Sequence, residues 1–293
     1  HYDAVVAAIR GVSSDGLLLA VLATAVSFVA LSGYDLSSLR YVGARVPYRV
    51  VAQTSFIAYA LSNTIGQGVF TGGAVRMRLY GAAGVDAGTV SRAIAFNALA
   101  FGIGVSVIGA FGLLVDADAV APLVHLPTSV VQAIGGSCLV AVLLLLLACR
   151  GREIALPRRL RLRLPTAGIA WQQLLFSAID VCAAAAVLWL LLPDGAIGFA
   201  AFVGFFAAAT VIGVISHVPG GLGVFEAVML VALGGQVPAE MLAGALVLYR
   251  VIYYLLPLLL ALLLLISHEV GRGIGAPLSR ATASLAPRLL AAF

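Results

Sequence analysis

The sequence has 293 residues, of which 62% are hydrophobic and only 10% are charged. Soluble domains carry about 45–50% apolar and about 25% charged residues, so this composition excludes a soluble globular protein. All 17 basic residues are arginines and the formal net charge is +5, which in so apolar a chain reflects membrane topology first. We therefore expect one all-α integral membrane domain over residues 1–293, with the bilayer as its solvent.

The first residues are His1-Tyr2-Asp3, with neither an initiator methionine nor a signal peptide. We expect the sequence to be a piece of a longer protein in which a further helix lies upstream. The arginine pattern described below supports this expectation, because it places the start of the chain outside the cell.

Apolar stretches of about 17–25 residues are candidates for membrane spans. Five continuous stretches predict full spans: Gly16–Leu31, Val90–Val115, Val130–Ala148, Ile169–Leu192 and Leu242–Ile266. Two further apolar segments, Val51–Phe70 and Ile197–Leu233, are interrupted by polar residues and glycines.

The arginines indicate which segments cross the membrane and which return. A connector at 150–163 carries six arginines, so it faces the cytoplasm. If Val51–Phe70 crossed fully, the arginines at 40–49 would lie on the opposite side from Arg76 and Arg78. A re-entrant hairpin places all of them inside, together with the C-terminus, and leaves only Arg10 and Arg250 as exceptions. The first broken segment is therefore predicted to be re-entrant.

The second broken segment starts and ends outside, so a re-entrant hairpin and two full crossings both remain open. Its last part, Val224–Leu233, is only about 15 Å long as a helix. The hydrocarbon core is about 30 Å thick, which favours the hairpin.

The two broken segments resemble one another. One reads Ser62-Asn63-Thr64-Ile65-Gly66-Gln67-Gly68-Val69-Phe70, and the other reads Ser216-His217-Val218-Pro219-Gly220-Gly221-Leu222-Gly223-Val224-Phe225. Opposed broken helices of this kind indicate an inverted-repeat transporter with a site at the membrane midplane. Glycine permits the tight turn, and Pro219 is expected to end the preceding helix. The predicted helix-break glycines are Gly66, Gly68, Gly220, Gly221 and Gly223.

Ionisable residues inside spans are costly and therefore mark candidate sites. Arg250 is the sharpest candidate, with Tyr249 beside it and Tyr253 one helical turn away. It either holds a lipid phosphate or pairs with Glu226 or Asp180. Asp180 is a candidate for contacting an ammonium group, for binding a proton or for pairing with Arg250. Glu226 either takes part in transport or stabilises the start of a half-helix.

The remaining candidates for lipid contact lie close to the two breaks. Arg76 and Arg78 follow the first hairpin and either mark the cytoplasmic side or capture anionic headgroups. Ser62, Asn63 and His217 lie at the breaks themselves, where His217 either caps the helix or contacts a ligand. No catalytic motif and no metal-ligand spacing occurs, so we expect neither an enzyme nor a cofactor.

Four motifs resemble the transmembrane region of the multiple peptide resistance factor family of bacterial lysylphosphatidylglycerol synthetase/flippase proteins. They are Gly33-Tyr34-Asp35-Leu36, the stretch Ser55–Ala60, the stretch Gly72–Tyr80 and the stretch Ser216–Glu226. The resemblance extends from about Gly33 to Tyr254.

The resemblance implies a flippase in the bacterial inner membrane that moves aminoacylated phosphatidylglycerol, such as lysyl-phosphatidylglycerol, to the outer leaflet. Such movement lowers negative surface charge and so confers resistance to cationic antimicrobial peptides. The family's cytoplasmic synthetase domain, which uses charged tRNA, lies outside this sequence. The implied partners are therefore phospholipids and that domain, without direct nucleic-acid binding by this chain; a homodimer remains open.

Two other classes of function remain open on the sequence. One is a membrane scaffold that presents lipid to a transferase without transporting it. The other is an ion-coupled transporter of small solutes.

Overall fold

The computed structural model of the chain describes residues 2–66, 68–151, 153–156 and 160–267. In this part of the chain five helices are long and apolar enough to cross a membrane. They are α2 (Ser14–Tyr41), α5 (Ala87–Val115), α7 (Thr128–Ala148), α8 (Ala167–Trp189) and α11 (Ala239–Ser267). Each coincides with one of the five predicted spans, which confirms the polytopic all-α membrane fold.

Six shorter helices complete the helical structure of the described residues. They are α1 (Tyr2–Gly11), α3 (Tyr48–Ile65), α4 (Gly68–Ala82), α6 (Ala117–Val124), α9 (Phe199–Ile215) and α10 (Val224–Leu233). Neither α1 nor α6 was predicted from the sequence. The first broken segment forms α3 and α4, and the second forms α9 and α10.

The basic connector is not an irregular loop, as the arginine run suggested. Strands β1 (Glu153–Leu156) and β2 (Leu160–Arg163) pair there as a short antiparallel hairpin. Three arginines of this connector and three near the C-terminus lie outside the described residues: Arg152, Arg158, Arg159, Arg272, Arg280 and Arg288.

Helices α2 and α8 form the centre of the molecule and run antiparallel. Near the start of α2, a Cβ on Gly16 would lie 3.1 Å from the carbonyl oxygen of Leu190, just past the end of α8. Further along α2, the amide of Gln173 near the start of α8 donates to the carbonyl oxygen of Tyr34 at 3.4 Å. The order of contacts along the two helices is thus reversed.

Helix α5 runs parallel to α8 and therefore antiparallel to α2. Its early residue Asn97 accepts a hydrogen bond from Gln173 at 3.2 Å, and its later residue Gly104 packs against Ser177. The chain between α2 and α5 consequently begins and ends on the same side of the bundle. This geometry confirms that the first broken segment returns to the side from which it enters.

The same order of helices occurs twice: long, short, short, long. Helices α2 to α5 form the first set and helices α8 to α11 form the second. Because α2 and α8, the first helices of the two sets, run in opposite directions, the sets have the inverted arrangement predicted from the two broken segments.

The largest buried apolar cluster lies within the second set of helices. Its aromatic members include Phe202, Phe206, Phe225 and Tyr249, and Phe206 packs edge-on against both Phe225 and Tyr249. Many apolar side chains point away from the bundle, as Leu144 and Leu147 do on α7. An outward apolar face suits a chain whose solvent is lipid.

Candidate functional site

The first helix break is built around Gly66. Helix α3 ends at Ile65, and Gly66 has φ 80° and ψ −173°, a conformation that side chains with a Cβ rarely adopt. The Gly66 amide donates to the carbonyl oxygen of Ser62 at 2.9 Å, which closes the last turn of α3. Gly68 is the first residue of α4, so the chain reverses direction within a very short turn.

The second break differs in detail from the prediction. Helix α9 ends at Ile215, four residues before Pro219, so the proline does not end it. His217 adopts a left-handed conformation with φ 55°, and its Nδ1 lies 2.6 Å from the Ile215 carbonyl oxygen. The ring therefore covers the end of α9 in the capping role that was one of its two predicted alternatives. Pro219 instead opens a 3₁₀ turn that continues to Gly221.

Three glycines of the second break have positive φ angles. The values are 59° for Gly220, 62° for Gly221 and 79° for Gly223. Residues with a Cβ are strained in this region, so the helix-break role predicted for these glycines agrees with their backbone geometry.

The tips of the two hairpins touch one another. A Cβ on Gly66 would lie 2.8 Å from the Cα of Pro219, and one on Gly220 would lie 3.0 Å from the Thr64 carbonyl oxygen. The Thr64 hydroxyl also lies 3.5 Å from the carbonyl oxygen of Tyr254, near the middle of α11. The two breaks therefore meet beside the centre of a membrane-spanning helix. We refer to this contact of Asn63–Gly66 with Pro219–Gly223 as the hairpin junction.

Arg250 and Glu226 form an ion pair at the hairpin junction. Arg250 donates from Nε to Glu226 Oε1 at 2.6 Å and from Nη1 to the carbonyl oxygen of Gly220 at 2.7 Å. Glu226 Oε2 accepts from the amide of Gly223 at 2.7 Å, so the carboxylate also caps the start of α10. The pair joins α11 to both sides of the second break.

The ion pair of Arg250 and Glu226 is partly exposed at the protein surface. The side chains of Arg250 and Glu226 are 14% and 23% exposed. Arg250 Nη2 also lies 2.6 Å from Glu226 Oε1, so Nε and Nη2 of Arg250 both face a single carboxylate oxygen. Of the two carboxylates predicted as alternative partners, Glu226 is the one that pairs with Arg250.

The predicted aromatic neighbours of Arg250 are present, although the helix around them is not regular. Residues Arg250–Leu255 form a π-helical segment within α11, a feature frequent at functional sites. Tyr249 and Tyr253 stack with ring centroids 5.4 Å apart, and the Arg250 guanidinium lies 4.4 Å from the ring centroid of Tyr254. Of these tyrosines, Tyr254 is the one whose ring packs against the guanidinium.

Asp180 lies apart from Arg250. It accepts a hydrogen bond from the Ser27 hydroxyl at 2.5 Å, and that hydroxyl lies 2.9 Å from the hydroxyl of Tyr253. Gln173 and Ser177 lie on the same face of α8 as Asp180, and all three side chains are buried.

A second buried charged cluster was not predicted as a site. Asp35 on α2 accepts from Arg76 Nε at both oxygens, at 2.8 Å to Oδ2 and 3.1 Å to Oδ1, and from Nη2 at 2.9 Å to Oδ1. The Tyr80 hydroxyl donates to Oδ2 at 2.7 Å, and the Asn97 amide donates to Oδ1 at 2.8 Å. The Arg76 guanidinium lies 4.4 Å from the ring centroid of Tyr59. We call these five residues the Asp35 cluster.

This cluster corrects the interpretation of Arg76 and Arg78. Both residues lie within α4, the second arm of the first hairpin, and do not follow the hairpin. Arg76 is 5% exposed and paired, so it is unavailable to capture lipid headgroups in this conformation. Arg78 is exposed. A Cβ on Gly72 would come within 2.9 Å of Arg76 Nη1 and would also overlap Ser62 Oγ, so Ser62 lies beside the cluster.

A sequence signal for Asp35 does exist. The residue lies in an apolar helix on the arginine-rich side of the membrane, within the motif Gly33–Leu36 that carried the family resemblance. An acidic residue in such a position needs a cation, and Arg76 is the arginine in the adjacent hairpin that turns inward.

Comparison with known proteins identifies related chains. Residues 2–261 match the family described as the lysylphosphatidylglycerol synthase TM region. An uncharacterised protein of Synechocystis, slr0712, is 34% identical over 88% of this chain and 81% of its own length. The inner membrane protein YbhN of Escherichia coli is 31% identical over 87% of this chain and 80% of its own length.

Longer relatives also match. The phosphatidylglycerol lysyltransferase of Staphylococcus haemolyticus is 29% identical over 81% of this chain, which spans only 28% of that protein. The similarity thus covers one part of a larger protein, and the lysyltransferase activity in its name belongs to the whole.

Proposed function

Because the chain belongs to the family of the lysylphosphatidylglycerol synthase transmembrane region, we propose that it moves aminoacylated phosphatidylglycerol between leaflets. The direction is from the inner to the outer leaflet of the bacterial inner membrane, with lysyl-phosphatidylglycerol as substrate. The observation that carries the proposal is the Arg250–Glu226 pair at the hairpin junction, beside the middle of α11.

The charges of this pair suit such a headgroup. Arginine binds phosphate through two parallel N–H donors, and Nε and Nη2 of Arg250 form such an edge, which here faces only one oxygen of Glu226. A lysyl headgroup also carries ammonium groups, for which Glu226 is the nearby acceptor. When the lipid binds, Arg250 pairs with its phosphate and Glu226 pairs with an ammonium group. Both side chains therefore keep a charged partner after their own ion pair breaks.

Unmodified phosphatidylglycerol lacks the ammonium groups. If its phosphate bound Arg250 in place of Glu226, Glu226 would remain unpaired at membrane depth. Breaking a buried ion pair in this way costs about 3–5 kcal/mol. The partial exposure of Glu226 reduces this penalty without removing it. The pair therefore favours the aminoacylated lipid over its precursor.

The hairpin junction supplies the gate in this proposal. Helices that break inside the bilayer are tolerated where protein or a wet cavity satisfies their end groups. Here each tip packs on the other, so separation of the tips opens a polar route beside Arg250. The glycines with positive φ are the positions at which the two tips can change direction.

The chain itself is proposed to flip lipid without synthesising it. A separate synthetase domain, attached on the cytoplasmic side, makes the lipid that this domain exports. Export lowers the negative charge of the outer surface, from which resistance to cationic antimicrobial peptides follows.

The test is transport by the purified chain in liposomes. Fluorescent lysyl-phosphatidylglycerol or phosphatidylglycerol is placed in the inner leaflet, and its appearance outside is measured with a membrane-impermeant quencher. We expect protein-dependent movement that is faster for the lysyl lipid and that falls sharply in Arg250→Ala and Glu226→Gln.

Arg49→Ala is the matched control, because Arg49 is exposed in the first turn of α3, away from the hairpin junction. Movement of the lysyl lipid no faster than in protein-free liposomes would contradict the proposal. If removal of the domain from a full-length relative lowered lipid synthesis instead, the scaffold hypothesis would be favoured.

A further inference from the structure

Asp180 is a buried carboxyl group in the middle of α8 whose surroundings differ from those of the two ion pairs. It is 5% exposed and accepts a hydrogen bond from the Ser27 hydroxyl at 2.5 Å. The hydroxyl of Tyr253, in the π-helical segment of α11, lies 2.9 Å from the same Ser27 hydroxyl. Two hydroxyl-bearing side chains therefore surround the carboxyl group.

No basic side chain of the described ranges forms an ion pair with Asp180. The two arginines buried nearest the centre of the bundle are already paired, Arg76 with Asp35 and Arg250 with Glu226. The titratable groups that face Asp180 from the adjoining elements are tyrosines and one cysteine: Tyr34 on α2, Tyr59 on α3, Cys182 on α8, and Tyr253 and Tyr254 on α11. Such groups are uncharged at neutral pH.

An isolated carboxylate at this depth would be costly. A charged aspartate at the centre of a spanning helix is disfavoured, because the hydrocarbon core does not solvate the charge. A neutral carboxyl group that shares hydrogen bonds with hydroxyls avoids most of this cost. The oxygens of Asp180 and Ser27 are 2.5 Å apart, the short distance of a strong O–H···O hydrogen bond.

We propose that Asp180 is a proton-binding site, and that exchange of its proton with water drives the movement of the hairpin tips. The coupling part of this inference rests on the proposed lipid transport, whereas proton binding at Asp180 does not. The proton is held by the carboxyl group while the tips are in contact and is released to water when they separate.

The π-helical segment links the proton site to the hairpin junction. Its six residues include Arg250, which binds Glu226 and Gly220, and Tyr253, whose hydroxyl meets Ser27 beside Asp180. Release of the proton leaves a carboxylate that attracts the Tyr253 hydroxyl more strongly. A π-helical turn can convert to regular α-helix by a shift of one residue, and such a shift would move Arg250 relative to the tips.

Infrared spectroscopy of the purified chain tests proton binding without any variant. The C=O stretch of a protonated carboxyl group lies apart from the bands of carboxylates. We expect one such band at neutral pH that disappears reversibly at alkaline pH, is insensitive to sodium, and is absent in Asp180→Asn. Persistence of the band in Asp180→Asn, or its absence from the wild-type chain at neutral pH, would overturn the proposal.

Transport under an imposed pH gradient tests the coupling. One proton per lipid shifts the steady-state ratio of labelled lipid between leaflets by up to about ten-fold per pH unit. We expect that shift in the wild-type chain, none in Asp180→Asn, and the full shift in Asp118→Asn, which makes the same change at an exposed site on α6.

The two proposals fail in distinguishable ways. If lipid moves but neither pH nor Asp180→Asn alters its distribution, the coupling is wrong and the transport function stands. If the infrared band behaves as expected but no lipid moves, proton binding at Asp180 stands and the proposed lipid transport is wrong.

Discussion

Within the residues that the structure describes, two arginine–carboxylate pairs differ in burial and in how the carboxylate is bound. In the Asp35 cluster the carboxylate accepts from an arginine, a tyrosine and an asparagine, and Asp35 and Arg76 have side-chain exposures of only 1% and 6%. At the hairpin junction, Arg250 and Glu226 are 14% and 23% exposed, and Nε and Nη2 of Arg250 share one oxygen of Glu226.

This difference separates a structural role from a binding role. A fully satisfied pair with bidentate geometry holds four helices together, since α2, α3, α4 and α5 each contribute to the Asp35 cluster. A pair that is incompletely satisfied and reachable can exchange partners with a ligand. The same two residue types therefore serve stability at one position and transport at the other.

The largest effect is expected from Arg76→Ala. Removal of this arginine leaves Asp35 buried and unpaired, which costs about 3–5 kcal/mol of folding stability. Thermal unfolding of the purified protein in detergent measures the loss. Arg78→Ala on the same helix is the control, because Arg78 is exposed. Equal effects of the two substitutions would show that the Asp35 cluster is not a structural element.

Arg250→Ala is expected to destabilise the protein less while lowering lipid transport more. Its hydrogen bonds to a charged partner contribute about 1.5–3 kcal/mol, reduced here by partial exposure. Unfolding and liposome transport are measured on the same preparation. A loss of stability as large as that of Arg76→Ala, with transport unchanged, would reverse the roles assigned to the two pairs.

Gly66→Ala tests whether the contact of the tips matters beyond backbone strain. Gly66 and Gly43 have nearly equal φ angles of 80° and 79°, but a Cβ on Gly43 would meet nothing within 4 Å. Both alanine variants incur backbone strain, and that of Gly66→Ala is about 1–3 kcal/mol because its ψ of −173° lies in a region that is essentially restricted to glycine. Gly66→Ala adds overpacking against Pro219, for which about 1–3 kcal/mol is typical. Equal melting temperatures of the two variants would contradict the tip contact.

The smallest effect is expected at Asp86, an exposed carboxylate outside the membrane. Asp86 accepts hydrogen bonds from Thr89 at the start of α5, and these bonds lower its pKa. The folded-state pKa lies below the unfolded value, so the stabilisation is present above the unfolded pKa and is lost as pH falls through the folded one. Asp86→Ala should therefore lower the melting temperature at neutral pH, and the difference should vanish in acid.

This surface carboxylate provides a reference for the buried pair of Asp35 and Arg76. Asp86 is exposed to solvent, whereas the side chains of Asp35 and Arg76 are only 1% and 6% exposed. If Asp86→Ala were as destabilising as Arg76→Ala, the distinction between buried and exposed carboxylates would not hold.

Much of the fold follows from the sequence because a bilayer imposes strict rules. The five spans are visible as apolar runs, and the arginine distribution predicts correctly that the first broken segment returns. The breaks at Gly66 and Gly220 are visible because glycine is the residue that adopts the required backbone conformation. Short elements such as α1 and α6, and the β-hairpin of the connector, carry too weak a hydropathy signal to be predicted.

The partners of the charged residues are less predictable. Glu226 and Asp180 were equal alternatives for Arg250, since sequence spacing does not fix which helices are neighbours. The prediction that Arg76 faces the cytoplasmic surface came from counting charges, which takes no account of where a helix packs. Only its contact with Asp35, which is distant in sequence, shows that Arg76 is buried.

The sequence alone therefore determined the solvent of this protein, the number of its spans and the positions of its helix breaks, because each depends on local composition. Tertiary structure alone decided that the two breaks touch, that Arg250 pairs with Glu226, and that the Ser27 hydroxyl donates to Asp180. These contacts depend on which helices pack together. Helix packing in turn depends on the shapes of whole helix surfaces, which local composition does not specify.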